Sequence, residues 1–211
     1  MQELLRYNFK QRYVVFDTET EGLNLINSKP WQIAWIECEG KKIIKKHNRF
    51  IKWDNLNVSP EAARVTGFNR KHYESVAEEP SDVWRDFEKV LYNDDNLIVG
   101  QNILGYDIYI LNVWCRKMGI RISHENYINR CFDTKSVAMA IAKENKNPDK
   151  NDLLAWQLKY LNYRERGLKT NQKFLLENYG IDFDAKKLHD ALYDIEKNFE
   201  IFQKQIWELE I

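Results

Sequence analysis

Two carboxylates one residue apart, Asp17 and Glu19, directly follow the apolar run Tyr13–Phe16. Residues i and i+2 of an extended chain face the same way, so these acids stand side by side at a strand end. Adjacent anions repel each other. A hard divalent cation relieves the repulsion, because magnesium and manganese prefer carboxylate and water oxygens. An exposed acidic loop after a strand also accounts for the pair. A third acid, Asp107, ends the segment Gly100-Gln101-Asn102-Ile103-Leu104-Gly105-Tyr106-Asp107. It falls past a strand end and near a helix start, where ligand sites of open α/β sheets gather; a carboxylate there also simply complements the helix dipole.

His189 and Asp194 complete the candidates. On one continuous helix their spacing puts them on different faces, so they converge only if His189 precedes the helix and Asp194 lies inside it. Asp194 sits between Leu192 and Ile195, close to the apolar stripe, where an acid is costly to bury unless paired or bound to metal. A capping histidine and a solvated acid are the plain alternative.

Tyr13–Phe16 reads as a buried central strand that breaks into a polar loop from Asp17 to Gly22. Trp31–Glu37 and Lys42–Ile51 read as further strands joined at Glu39-Gly40. Ser59-Pro60-Glu61 opens a short helix that Gly67 ends. Ser81 opens another, Asn96–Gly100 is a strand, and Tyr106–Met118 is a helix closed by Gly119. Tyr127–Asp133 reads as the last strand, leading into a helix over Thr134–Ala142. The C-terminal helix carries Leu192, Ile195, Phe199, Phe202, Ile206 and Leu209 at alternating spacings of three and four. Three strands followed by strands alternating with helices describe one α/β domain with a mixed sheet.

The 211 residues, 44% apolar and 30% charged, are ordinary globular composition. Formal net charge is zero. No bulk basic field attracts a polyanion, so local basic groups and bound metal must do so, which favours a grip on a chain end over binding along long tracts. Cys38, Cys115 and Cys131 are scattered, the pattern of buried, reduced thiols in a cytosolic protein rather than of a zinc site or disulfide framework. No apolar run is long enough for a signal peptide or a membrane span, so the expectation is a cytoplasmic protein that does not engage the membrane. His47, His72 and His124 belong to no comparable constellation and read as surface or packing residues.

The order Asp-x-Glu, Asn-x3-Tyr-Asp, His-x-Ala-x-x-Asp resembles the DEDDh branch of the DnaQ-like 3′→5′ exonucleases, a family that includes proofreading exonuclease subunits, RNase T and oligoribonuclease. The likeness runs from Val14 to about Phe202 and includes the stretch Ser59–Gly67, Asp133-Thr134 and Asn178–Ile181. It implies the ribonuclease H-like fold, a five-stranded mixed sheet flanked by helices. It also implies two divalent metal ions, Mg2+ or Mn2+, with Asp17, Glu19, Asp107 and Asp194 as metal ligands and His189 as general base. Thr18, Thr20 and Asn102 are then candidates for holding the terminal nucleotide. The implied partner is a nucleic-acid 3′ end, single-stranded DNA ahead of RNA, with a polymerase or another replication or repair protein as a recruiting partner. An exoribonuclease acting on short RNA or RNA 3′ ends is the alternative within enzymes, and a catalytically silent nucleic-acid-binding scaffold the alternative outside them. Besides the segment Asn102–Asp107, one residue longer than in many bacterial relatives, two positions depart from the family pattern. Glu21 stands where threonine is frequent, adding negative charge near the substrate entrance, and Gln101 stands where histidine is frequent.

The stretch 143–169 resembles an insertion relative to compact family members. It holds seven basic and four acidic residues, with Trp156, Tyr160 and Tyr163 among them. Basic groups and aromatics grip phosphates and stack bases, whereas Leu154, Leu158 and Leu161 form a helical stripe that reads as packing.

Overall fold

The computed structural model describes residues 4–148 and 152–211. Its sheet runs in the order β3-β2-β1-β4-β5. The strands are β1 (Arg12–Thr20), β2 (Pro30–Glu39), β3 (Lys42–Phe50), β4 (Asn96–Gly100) and β5 (Cys131–Asp133). The first three are antiparallel neighbours, while β4 lies parallel to β1 and β5 parallel to β4. The helices are α1 (Pro60–Thr66), α2 (Arg70–Val76), α3 (Pro80–Leu91), α4 (Asp107–Lys117), α5 (Thr134–Ala142), α6 (Leu153–Leu161), α7 (Gln172–Asn178) and α8 (Ala191–Glu208). This is the five-stranded mixed sheet with flanking helices that the resemblance implies.

Alternation along β1 decides which helices it faces. Val14 and Phe16 pack with Val83, Trp84 and Phe87 of α3 and with Leu111 and Trp114 of α4. Tyr13 and Val15 point the other way, into a cluster with Val137 of α5 and with Ile195, Phe199, Phe202 and Ile206 of α8. The sheet is therefore a wall between two apolar layers, and each β1 side chain is committed by its parity. The exposed edge strand β3 carries Lys42, Lys45 and Lys46, charges that oppose pairing with another chain.

Several elements differ from the sequence reading. β1 does not break at Asp17. Pairing with β2 continues from Asp17↔Ala34 through Glu19↔Gln32 to Thr20, so the polar residues are strand residues. The last strand is only Cys131–Asp133, because residues 124–126 and 128–130 are short 3-10 turns. Those turns are held by Arg130, whose guanidinium donates to the carbonyls of Leu91, Asn96 and Asn126. The helix expected from Ser81 begins at Pro80, and the sequence reading did not contain α2 and α7. In α6, Leu158 is exposed, while Trp156 and Gln157 are buried and Leu154 and Leu161 pack on the core. The expected leucine stripe is thus two leucines, and α6 also packs through Leu153, Trp156, Gln157 and Tyr160. The three cysteines are buried and unpaired, as expected. His47 stacks on Trp35, and His72 and His124 lie against Phe50 and Tyr127. No helix among the described residues is long and apolar enough to cross a membrane.

Candidate active site

β1 and β4 part company at the end that matters. Their pairing stops at Val15↔Val99, while β2 accompanies β1 to Thr20. β4 turns away at Gly100, where a Cβ would lie 1.9 Å from the Ile103 side chain and 3.0 Å from the Phe16 carbonyl. Only glycine fits that approach. The last residues of β1 thus lose their β4 neighbour, and the edge exposed there is taken by the N-terminus of α4. The amide of Thr18 donates to Asp107 Oδ1 at 3.1 Å and its hydroxyl does so at 2.6 Å. Asp107, the first residue of α4, is buried by this contact.

Parity then separates the neighbouring side chains. Thr18 and Thr20 share the face of Val14 and Phe16, towards α4. Asp17 and Glu19 share the face of Tyr13 and Val15, towards α8. In the first turn of α8 lies Asp194. One oxygen of Asp194 accepts the backbone amide of His189 at 2.9 Å; the other is buried with no partner. His189 precedes the helix, as convergence requires, with Asp190 as the N-cap accepting from the Tyr193 amide. The chain enters this turn with His189 at φ +76°, an uncommon conformation for a side chain with a Cβ.

The four carboxylates form one electrostatic unit. Burial, and then the charges of Asp107, Glu19 and Asp194, push Asp17 well above the ordinary carboxylate range. Burial, with Asp194 and Asp107 adding to it, raises Glu19 to about 8. Asp107 rises to about 7 through burial, against the opposing hydrogen bonds from Thr18. Asp194 rises to about 6 through burial, opposed by His189. Burial and mutual repulsion point the same way, so the cluster is unfavourable when fully ionised without a cation. The donors are hard oxygens, and one is an orphaned buried carboxylate oxygen. That chemistry fits a hard divalent ion. Among the described residues, no three acidic, histidine or cysteine side chains are preassembled as a closed metal cage, so an ion held here draws other ligands from water or substrate.

A cleft of about 610 Å³ opens beside Glu19, lined by Thr18, Thr20, Leu23, Val65, Thr66 and Tyr106 among others. The hydroxyl of Tyr106 donates to the Gly22 carbonyl at 2.8 Å and lies 2.6 Å from Thr20 Oγ1. Both threonines therefore already serve the protein, one holding Asp107 and the other Tyr106, although both line the cleft. Asn102 is occupied as well. Its amide donates to Asp133 Oδ1, and its side-chain oxygen accepts from Lys135. Glu21 does not project its charge at the entrance, because its two oxygens accept from the Asn57 and Lys29 amides and it pairs with the Lys29 ammonium. Gln101 bridges the Thr134 hydroxyl and the Thr170 carbonyl.

Sequence reasoning assigned no role to the residues that hold this arrangement from behind. The fully buried Asp133 accepts the amides of Asn102, Leu104, Lys135 and Ser136, which ties the loop before Asp107 to the start of α5. Gln157 of α6 accepts the Asp133 amide at 2.6 Å and donates to the Cys131 carbonyl at 2.9 Å. In the sequence Asp133 reads as the end of the last strand; the structure makes it also the N-cap of α5, with partners across the loop.

A family model described as Exonuclease, of the RNase T type, matches residues 14–202. The chain belongs to the RNase T exonuclease family. Members of this DnaQ-like, ribonuclease H-like family are metal-dependent 3′→5′ exonucleases, hydrolases of terminal phosphodiester bonds. The chain is 28% identical over 197 residues to DNA polymerase III PolC-type of Bacillus subtilis, covering 93% of this chain and 12% of that one. It is 28% identical over 138 residues to the same enzyme of Bacillus cereus, covering 65% and 9%. This exonuclease-family chain therefore spans about a tenth of the length of those relatives. Among solved structures, E. coli exonuclease I in complex with a dT13 oligonucleotide superposes with a TM-score of 0.71 at 18% identity, over 92% of this chain and 41% of that one. The zinc-bound exonuclease I–ssDNA complex gives 0.70 at 17% identity, over 92% and 40%. At that identity the likeness establishes the shared fold.

Proposed function

We propose that this protein is a 3′→5′ exonuclease that hydrolyses the terminal phosphodiester of single-stranded DNA with two divalent ions, Mg2+ or Mn2+, and with His189 as general base. The observation that carries this reading is the cluster of Asp17, Glu19, Asp107 and Asp194, half-buried or buried, mutually repelling, and joined to the His189 turn through Asp194. A silent scaffold has no reason to keep so unfavourable a group of acids.

Asp17, Glu19, Asp107 and Asp194 would hold the ions. When bound, these stabilise the attacking and leaving oxygens of an in-line displacement. Water adds to phosphorus, the bond from phosphorus to the 3′ oxygen of the penultimate nucleotide breaks, and a nucleoside 5′-monophosphate leaves. His189, an exposed imidazole with a nitrogen able to accept, takes the proton of the attacking water. The terminal nucleotide occupies the cleft beside Glu19, where the exposed Leu23 and Val65 offer apolar contact to a base. DNA is preferred over RNA in this proposal because the similar Bacillus proteins are DNA polymerases and the two exonuclease I structures described above are complexes with single-stranded DNA and with dT13. The same likeness supports recruitment by a replication or repair protein. Matched DNA and RNA oligonucleotides of one sequence, compared by kcat/KM with magnesium, test the preference; faster turnover of the RNA would reverse it.

A further inference from the structure

A second cleft, also about 610 Å³, lies against the first. It is lined by Arg64, Lys186, Lys187, His189, Asp190 and Tyr193, among others. The two clefts share Val65 and Thr66, at the end of α1. A strand whose last nucleotide lies beside Glu19 can therefore continue into the second cleft without leaving the protein surface. Its cations stand out in a chain of zero net charge. Among the described residues, none of Arg64, Lys186 and Lys187 takes part in an ion pair. Nearby Lys29 and Lys197, by contrast, are paired with Glu21 and Glu200.

The loop that presents the two lysines is built in advance. The amides of Lys186 and Lys187 donate to Asp184 Oδ1 at 2.9 Å and to the Asp184 carbonyl at 3.0 Å. The Asp184 amide donates to the Tyr193 hydroxyl at 2.7 Å, which pins the loop to α8. The Lys187 ammonium lies 5.8 Å from the centre of the Tyr193 ring. Asp190, the acid in the cleft, is occupied as the helix cap. Unpaired cations held in place beside an acidic site are what a polyanion requires, since the site itself repels it.

We infer that Arg64, Lys186 and Lys187 form a subsite for the phosphodiesters of a single strand, upstream of the bond that is cut. The inference rests on the exonuclease reading and adds to it the residues that hold the strand. The exposed cations Lys159, Arg164 and Arg166 lie outside this cleft and serve as the comparison.

The test compares the full chain with the variant Arg64→Gln/Lys186→Gln/Lys187→Gln, in magnesium, on dT12 and on the p-nitrophenyl ester of thymidine 5′-monophosphate, which has no upstream strand. Three phosphate contacts on a single strand give a salt slope of about two, so raising salt from about 50 to about 200 mM should increase the wild-type KM for dT12 about 20-fold more than that of the variant. Hydrolysis of the ester should be the same in both, and the Lys159→Gln/Arg164→Gln/Arg166→Gln variant should behave as wild type on dT12. Wild-type inactivity on both substrates would overturn the exonuclease reading. An active wild type whose salt slope the cleft variant matches would overturn the subsite alone, as would loss of slope in the comparison variant instead. If the triple variant melts below wild type, Lys187→Gln is read in its place, with about one-third of the slope change expected and an unchanged slope overturning the inference.

Discussion

At the residue scale the unusual feature is four acids kept together where each raises the cost of ionising the next. Glu19, Asp107 and Asp194 stand at about 8, 7 and 6, chiefly through burial. Ordinary carboxylates ionise near about 4. Between these values the folded chain binds more protons than the unfolded one, so stability of the metal-free protein falls as pH rises from about 4 to about 8. With a chelator present, the melting temperature should drop across that window, and magnesium at pH 8 should restore it. A chelated protein with a flat profile would contradict the repulsion. Asp17→Asn removes one member of the cluster, so it should raise the metal-free melting temperature at pH 8 while abolishing most turnover; a lower melting temperature would count against it. His189 is tested separately. His189→Ala should lower kcat by about a hundredfold or more and remove an ionisation from the rising limb of the pH–rate profile. Identical profiles would leave His189 as a turn residue.

At the element scale, the ends of β1 and β4 make the site, and the ends of α4 and α8 complete it. The run Asp17-Thr18-Glu19-Thr20 looks like a loop because four polar residues follow an apolar strand. It remains a strand because β2 still pairs with it after β4 has left, a tertiary fact no local window contains. The acids were legible as candidates only from the order of three motifs along the chain, because Asp17 and Glu19 by themselves also fit an exposed acidic loop. The order of β4, α4, α5 and α8 was legible too, from periodicity and capping. Tyr106, Asp133 and Gln157 were not, because their partners lie across the fold: Thr20 and Gly22, the loop before Asp107, and the backbone of β5. The role of α6 follows from the last of these. It seals the edge strand and steadies Asp133, which holds the loop leading to Asp107. Gln157→Leu leaves two buried backbone groups unpaired and, at about 1–3 kcal/mol for each, should cost about 2–6 kcal/mol of stability. Unfolding in urea measures it, and an unchanged midpoint would show that α6 contributes by apolar packing alone.

At the scale of the whole molecule, a chain of zero net charge places acids and unpaired cations in two adjoining clefts at one end of its sheet. The family it belongs to, the shared fold and this charge arrangement converge on one reaction. The decisive measurement uses a single-stranded DNA oligonucleotide labelled at its 5′ end, incubated with the protein in magnesium, with the protein in chelator, and with Asp17→Asn. A 3′→5′ exonuclease leaves a ladder of labelled products shortening from the 3′ end in magnesium, and intact oligonucleotide in the other two incubations. Release of the labelled 5′ nucleotide as the first product, or an undiminished ladder from Asp17→Asn, would contradict this reading.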